Sequence, residues 1–296
     1  MRTFQQISAL RTYLRGIRQE GKTVGFVPTM GALHEGHLSL MRRAKSDCDL
    51  VVVSIFVNPT QFAPGEDFAA YPRDLNRDMQ LTSNEAVGAL FFPDAAEMYP
   101  PGYQTTIAVP EIAAKLEGAI RPGHFTGVAT VVAKLLNIVH PDSAFFGQKD
   151  YQQFLVIERM ARDLNLTPTI AMVPTLREPD GLAMSSRNAY LSPAERKAAV
   201  ILSKTLQLAA QKVTDGATNP AVLQQELETF LCAEPLASVD YVAVVHPDTL
   251  EPISLLTEQP TLIALAVRIG KTRLIDNALV APPNIALPKL RQSKAV

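Results

Sequence analysis

Two histidines three residues apart, His34 and His37, lie in the stretch Val24-Gly25-Phe26-Val27-Pro28-Thr29-Met30-Gly31-Ala32-Leu33-His34-Glu35-Gly36-His37-Leu38-Ser39-Leu40. A neutral imidazole donates one hydrogen bond and a charged one donates two. Three residues apart at a helix start, both rings can address the same bound group. Gly36 between them lets a ligand come close. A helix start also presents unpaired N–H groups and a positive dipole end to an anion. The chemistry expected is the handling of phosphate or another anion. Without a ligand, the same pair would be solvated or capping histidines.

Four other short stretches carry polar groups in loops. Asn58-Pro59-Thr60-Gln61-Phe62 offers neutral donors and acceptors, suited to hydroxyls and carboxylates, though the same residues serve in ordinary loops. In Arg121-Pro122-Gly123-His124-Phe125, Arg121 and His124 can face one pocket, or Arg121 can simply be solvated. Lys149, in Gly147-Gln148-Lys149-Asp150-Tyr151-Gln152-Gln153, stands at a helix start where the dipole disfavours a cation. An anionic ligand would account for it; so would Asp150 or solvent. Gln153 lies one turn further on and can face the same site. Met184-Ser185-Ser186-Arg187 combines two hydroxyls with a guanidinium fork, a set that fits phosphate.

The elements that must position these groups follow from periodicity. Ile7, Leu10, Leu14 and Ile17 predict a helix over 4–20. Val24–Val27 reads as a short buried strand, broken by Pro28 and Gly31, with a helix from about His34 to Lys45. Asp49 to Val57 is almost continuously apolar, as a strand buried on both faces of a parallel sheet is. Strand, helix and strand make a βαβ unit. Further strands are expected at Ala89–Pro93, Asp142–Phe146 and Thr169–Val173, with an edge strand at Gln104–Val109. Ser192-Pro193-Ala194-Glu195 is a capping-box helix start leading to about Val213, and another helix follows to about Leu231. Strands at Val239–Val245 and Leu262–Ile269, paired with Arg273–Val280, make the second half α+β. The expected fold is α/β, a Rossmann-like doubly wound parallel sheet over 1–175, with a smaller C-terminal α+β lid domain over 176–283 and a disordered tail over 284–296.

Bulk properties narrow the class. A 47% hydrophobic share of 296 residues is ample for a core, and a net charge of -1 gives no basic field for nucleic acid. No apolar run reaches the roughly 18 residues of a membrane span. Met1-Arg2-Thr3-Phe4-Gln5 holds no signal-peptide core. Cys48 and Cys232 are too few and too far apart for a disulfide framework or a zinc site. A cytoplasmic enzyme with no protein-held metal, no nucleic-acid partner and no membrane partner is expected.

The His-x-Gly-His pattern of His34–His37 resembles the signature of the nucleotidyltransferase superfamily, which includes class I aminoacyl-tRNA synthetases; Met184–Arg187 resembles the Lys-Met-Ser-Lys-Ser loop of the same superfamily, with Arg187 as the cation. Together, Pro28–His37, Asn58–Phe62, Arg121–Phe125, Lys149–Gln153 and Ser185–Asn188 resemble the pantothenate synthetase (pantoate–beta-alanine ligase) family, in its order and as far as about residue 280. Gln148 departs from the Glu usual there. The resemblance implies ATP-dependent condensation of pantoate with beta-alanine through a pantoyl adenylate, releasing AMP and pyrophosphate. It implies catalytic roles for His34, His37, Lys149 and Arg187, with His37 as proton donor. Contacts to ATP would come from Met30, Gly31, Ala32, Leu33, His34, Glu35, Gly36 and His37 in one stretch. Gly147, Gln148, Lys149, Asp150, Leu176, Met184, Ser185, Ser186 and Arg187 would supply the rest. Met30–Leu33 and Leu176 would hold adenine and ribose largely through backbone. Gln61 and Gln153 would hold pantoate, with Asn58, Arg121 and His124 at the same substrate site. Mg²⁺ would bridge the nucleotide phosphates and keep most of its waters. A homodimer is implied, with the apolar second strand as a candidate contact. The alternatives are another nucleotidyltransferase of this superfamily and a non-catalytic nucleotide-binding protein.

Overall fold

The computed structural model describes residues 1–287 and 291–293. Its elements in chain order are β1 (Arg2–Phe4), α1 (Ile7–Gln19), β2 (Val24–Thr29), α2 (Glu35–Asp47), β3 (Leu50–Ile55), α3 (Leu75–Asn84) and β4 (Ala89–Phe91). The short α4 (Ala95–Met98), α5 (Pro110–Ala113) and α6 (Leu116–Ile120) precede α7 (His124–Val139), β5 (Ser143–Gly147), α8 (Tyr151–Asp163) and β6 (Thr169–Val173). Then come α9 (Pro193–Ala198), α10 (Ile201–Thr214), α11 (Pro220–Cys232), β7 (Ala237–Val245), β8 (Thr261–Ile269), β9 (Thr272–Val280) and β10 (Gln292–Ser293).

The chain divides into two compact units. The first holds Met1–Gly147, Gln152–Pro174 and residues 291–293; the second holds Gln148–Tyr151 and residues 175–287. In the first, the sheet runs β1-β4-β3-β2-β5-β6-β10, and every neighbouring pair is parallel except β6–β10. Strand order therefore runs outward from β2 through β3 and β4 on one side, and through β5 and β6 on the other. That reversal is a switch point, and open α/β sheets bind ligands beyond the carboxyl ends of the strands there. Strands β2 and β5 pair only through Gly25–Ser143 and Phe26–Ala144. Their carboxyl-terminal halves are left unpaired with each other, leading into the His34 stretch and into Gly147. Helix α2 packs Leu38, Leu40, Met41 and Ala44 into a core with Val27, Val51, Val53, Leu90 and Phe145.

The second unit packs α10 and α11 on the antiparallel sheet β7-β8-β9, around Leu202, Leu206, Leu223, Leu227, Ile263, Leu265 and Val267.

Several expectations are corrected. Gln104–Val109 is not a strand: the Ile107 N–H donates to the Thr130 hydroxyl of α7 at 2.9 Å instead of to a neighbouring strand. The expected helix from Ser192 to Val213 is two helices, α9 and α10, parted at Ala199 and Val200. Residues 148–151 belong with the second unit, not with a continuous first domain. The tail contributes Gln292–Ser293, which pair with Ala171 and Ile170 of β6; the expectation of disorder for 288–290 and 294–296 lies outside the described residues. Strand β3 cannot be a dimer contact, because β2 and β4 occupy both its edges and Val51, Val52 and Val53 are buried.

Candidate active site

The turn from β2 into α2 is built by α3. The Thr29 hydroxyl donates to the Ser54 carbonyl (2.7 Å) and accepts from the Gly31 N–H (3.2 Å). Gly31 and Ala32 take φ values of 83° and 50°, two left-handed residues in succession. At Gly31 a Cβ would also fall 2.9 Å from Asp78 Oδ2, so glycine is required on both counts. Asp78, 1% exposed, accepts the N–H of Ala32 on Oδ2 (2.9 Å) and of Leu33 on Oδ1 (2.8 Å). Arg77 donates to the Leu33 carbonyl at 2.9 Å. Burial lifts the Asp78 carboxyl above its ordinary range, although the two N–H groups pull it down. The N–H groups of Gly31, Ala32 and Leu33 are thus committed to the protein, and the Leu33 side chain is core. The expected backbone grip of Met30–Leu33 on a nucleotide does not run through those three donors.

His34 is the N-cap of α2. Its Nδ1 accepts the Gly36 N–H at 3.2 Å, while Nδ1 of His37 accepts the His34 N–H at 3.3 Å. The ring centroids are 4.1 Å apart. An imidazole that accepts at Nδ1 carries its proton at Nε2 when neutral. In its neutral form each ring therefore keeps its donor at Nε2. Glu35 is turned the other way, its carboxylate paired with Arg42, which also binds Glu85.

The second polar group of this unit surrounds Gln61. Asn58, 1% exposed, donates to Gln61 Oε1 (3.1 Å) and to the Gly127 carbonyl (3.2 Å). Its Oδ1 accepts from the Tyr99 hydroxyl (2.8 Å), the Thr60 hydroxyl (3.0 Å) and the Thr60 N–H (3.3 Å). Because Gln61 Oε1 accepts from Asn58, its NH₂ faces the other way, held among the described residues only by the weak acceptor Met30 Sδ at 3.2 Å. Helix α7 passes so near that a Cβ on Gly127 would lie 2.4 Å from the Thr60 carbonyl oxygen. His124 Nδ1–H donates to the Gln61 carbonyl at 2.8 Å, which leaves Nε2 to accept from Arg121 Nη1 at 3.1 Å. Arg121 also grips Glu66 through Nε (2.7 Å) and Nη2 (2.6 Å). Burial first, and the Arg121 charge second, push the His124 pKa down to about 4, so the ring is neutral near pH 7.

Asn58, Arg121 and His124, expected at the substrate site, surround Gln61 and its turn through the hydrogen bonds just described. The adjacent glutamines of α8 divide similarly. Gln152 is buried, donating to the carbonyls of Ile112 (2.8 Å) and Lys115 (2.7 Å) and accepting from the Glu117 N–H (3.0 Å). Gln153 is half-buried, one position on along the helix.

The second unit brings together the other expected cations' segments. Gln148–Asp150 form a 3-10 turn, with Lys149 Nζ 3.8 Å from Asp150 Oδ1, beyond hydrogen-bond range. Residues 176–184 form a hairpin: Met184 N–H donates to the Leu176 carbonyl (3.0 Å) and Glu178 N–H to that of Leu182 (2.8 Å). Ser185 caps the turn Ser186–Tyr190, accepting the Arg187 N–H at 3.3 Å. Asn188 ties this turn back to Glu178 Oε1 (3.0 Å) and the Ala183 carbonyl (3.1 Å). Gly147, at the end of β5, has open space where a Cβ would stand.

Sequence reading missed Asp78, Arg77, Gly127 and Asn277. Only Gly127 carried a local signal, as a glycine inside an otherwise apolar helix, which marks close approach. Among the described residues no group of three or more His, Cys, Asp or Glu could hold a metal ion, and no helix is long and apolar enough to cross a membrane.

Residues 2–279 match the family model described as pantoate-beta-alanine ligase. The chain is 56% identical to a pantothenate synthetase of Pelotomaculum thermopropionicum over 274 residues, covering 93% of this chain and 97% of that one. It is 50% identical to that of Rhizobium meliloti over 290 residues, covering 98% and 100%. The crystal structure of pantothenate synthetase from Thermus thermophilus is similar at a TM-score of 0.90 and 48% identity, covering 95% of this chain and 100% of that one. A pantoate-beta-alanine ligase of Francisella tularensis, solved in complex with beta-gamma ATP and beta-alanine, is similar at a TM-score of 0.78 and 37% identity, with coverage of 94% and 97%.

Proposed function

This chain belongs to the pantoate–beta-alanine ligase family and is a ligase of pantoate and beta-alanine, and from that premise we propose that it works through a pantoyl adenylate on the residues described above. In the first step a pantoate carboxylate oxygen attacks the α-phosphorus of ATP, and pyrophosphate leaves. In the second, the neutral amine of beta-alanine attacks the acyl carbon; the acyl C–O bond breaks, the amine gives up a proton, and AMP departs.

The observation that carries this reading is the His34–His37 pair, with both Nδ1 atoms accepting backbone N–H groups at the start of α2. Two neutral Nε2–H donors aimed at phosphate oxygens stabilise charge that builds on them without prior protonation of the rings. Transfers of this kind depend mostly on positioning and electrostatics. Lys149 and Arg187 supply cations, and Ser185 and Ser186 supply hydroxyls. The Gln61 NH₂ exchanges its weak Met30 Sδ contact for the pantoate carboxylate or hydroxyls, and Gln153 takes the other end. Mg²⁺ arrives with ATP as part of the substrate, on phosphate oxygens and water. The Met184–Asn188 loop is the piece this reading expects to move when the labile anhydride is shielded from water. A homodimer in the cytoplasm, with Cys48 and Cys232 as free thiols, completes the reading; molar mass in solution checks the dimer.

Pantoate labelled with ¹⁸O in its carboxylate tests the route. One label should appear in AMP, and pyrophosphate should be released before beta-alanine is added. Label retained wholly in pantothenate, or pyrophosphate that waits for the amine, would sink the adenylate. Lys149→Ala should slow pyrophosphate release at least about a hundredfold, the usual weight of a lost charge stabiliser. It should spare amine attack on preformed adenylate.

A further inference from the structure

The strand β9 ends in a part of the chain to which no chemistry has been attached, yet it reaches the Lys149 turn. Asn277, 4% exposed, donates both amide protons to backbone carbonyls: to Gln148 at 3.0 Å and to Lys149 at 2.8 Å. Those carbonyls belong to the two peptide planes flanking the Lys149 Cα. A peptide unit is rigid, so pinning the planes on both sides fixes φ and ψ at Lys149 and hence the direction of its Cβ. Among the described residues, the Lys149 ammonium itself has only the 3.8 Å approach of Asp150. Its side chain is therefore aimed by its backbone.

The cost of this arrangement points the same way. Asn277 Oδ1 is buried and has no hydrogen-bond partner. An unsatisfied buried acceptor is unfavourable, and an aliphatic side chain on β9 would avoid it. What the amide supplies that an aliphatic residue cannot is two donors for the turn. Its neighbour Asp276, 2% exposed, does the same for the other cation-bearing loop. It binds Arg177 in a bidentate pair (2.6 and 3.0 Å), and Arg177 donates onward to the Gly181 carbonyl at 3.1 Å. That braces the hairpin leading into Ser185–Arg187. All these residues lie in the second unit.

We propose that Asn277 is a positioning residue for Lys149, acting from β9 through the Gln148 and Lys149 carbonyls, with Asp276 bracing the Ser185–Arg187 loop from the same strand. The inference rests on the reading that Lys149 meets the phosphates of ATP.

The test is half-reaction kinetics on the full-length enzyme. Asn277→Ala should slow pyrophosphate release from ATP and pantoate at least about tenfold, since misplacement by about an ångström can cost a hundredfold. Attack of beta-alanine on separately prepared pantoyl adenylate, and the KM for pantoate, should stay within about twofold. The double variant Lys149→Ala/Asn277→Ala should be no slower than Lys149→Ala alone, because residues acting as a unit are not additive. Asn277→Ser, which keeps one donor, should fall between wild type and Asn277→Ala, and is read in the same way if the alanine variant does not fold. A normal first step in Asn277→Ala beside a slow one in Lys149→Ala overturns the inference alone, as does a double variant whose losses multiply. A normal first step in Lys149→Ala overturns the phosphate reading and this inference with it.

Discussion

The polar group around Gln61 and the one around Lys149 are built on opposite plans. Around Gln61, side chains hold side chains: Asn58 fixes the amide, Tyr99 fixes Asn58, and Glu66, Arg121 and His124 fix the turn beneath. Around Lys149 and Arg187, side chains hold backbone, through Asn277, Asn188 and Arg177. The difference fits the two tasks proposed for them. A small hydroxy acid must be gripped in one orientation, which requires its amide partner to be set in advance. A polyphosphate is held by charge at several points, and a long cation follows it once its stem is aimed.

The comparison predicts that damage near Gln61 falls on pantoate binding and on folding, while damage near Lys149 falls on the rate of the first step. The largest effect is expected from Gly127→Ala. A Cβ 2.4 Å from the Thr60 carbonyl must push α7 off the Asn58–Gln61 turn. Overpacking of this kind costs about 1–3 kcal/mol or more. Thermal unfolding should report lowered stability, and residual activity should show a raised KM for pantoate. Unchanged values of both would mean the two segments are not rigidly apposed.

Asn58→Ala comes next. Without its donor, the Gln61 amide can rotate and offer oxygen where a nitrogen is needed. The KM for pantoate should rise roughly tenfold, in line with a buried hydrogen bond of about 1–3 kcal/mol, while the KM for ATP moves less than about twofold. An equal rise in both would erase the division between the two groups.

The smallest effect at neutral pH is expected from His124→Asn, which keeps a donor near the place of Nδ1. Activity at pH 7.5 should stay within about threefold. Its signature is in stability against pH. In the unfolded chain a histidine takes up a proton near pH 6.5, whereas folded His124 refuses it until about 4. The unfolded state therefore binds more protons between those values, and wild-type stability falls as pH drops from about 6.5 to 4. The loss attributable to His124 is about 2–4 kcal/mol. The groups facing it, Arg121, Glu66 and Glu117, are present in both proteins. Denaturant unfolding at pH 7 and pH 4.5 should show a shallower decline in the asparagine variant; parallel declines would mean that His124 is not held neutral.

The parts of the first unit differ in how plainly they were written in the chain. Strand β3 was legible because a parallel strand buried on both faces reads as a continuous apolar run, Leu50–Ile55. The His34–His37 pair and Gln61 were legible as polar residues beside turn-forming glycine and proline. Gln104–Val109 was misread because alternation predicts a strand only where a neighbour is there to pair, and here Thr130 takes the Ile107 N–H. For Asn58, Arg121 and His124, residue type alone does not distinguish a group that touches a ligand from one that holds the group that does.

By itself, the order of residues determined the alternation of strand and helix, the turns that break it, and the groups proposed to handle phosphate. These are local properties: period, cap and residue type act within a few positions. Only the tertiary structure decided which donors are engaged. Asp78 takes N–H groups 45 and 46 residues back along the chain, and Asn277 takes carbonyls 128 and 129 residues away. A hydrogen bond is set by distance in space, and nothing in a pattern of near neighbours records where a distant strand returns.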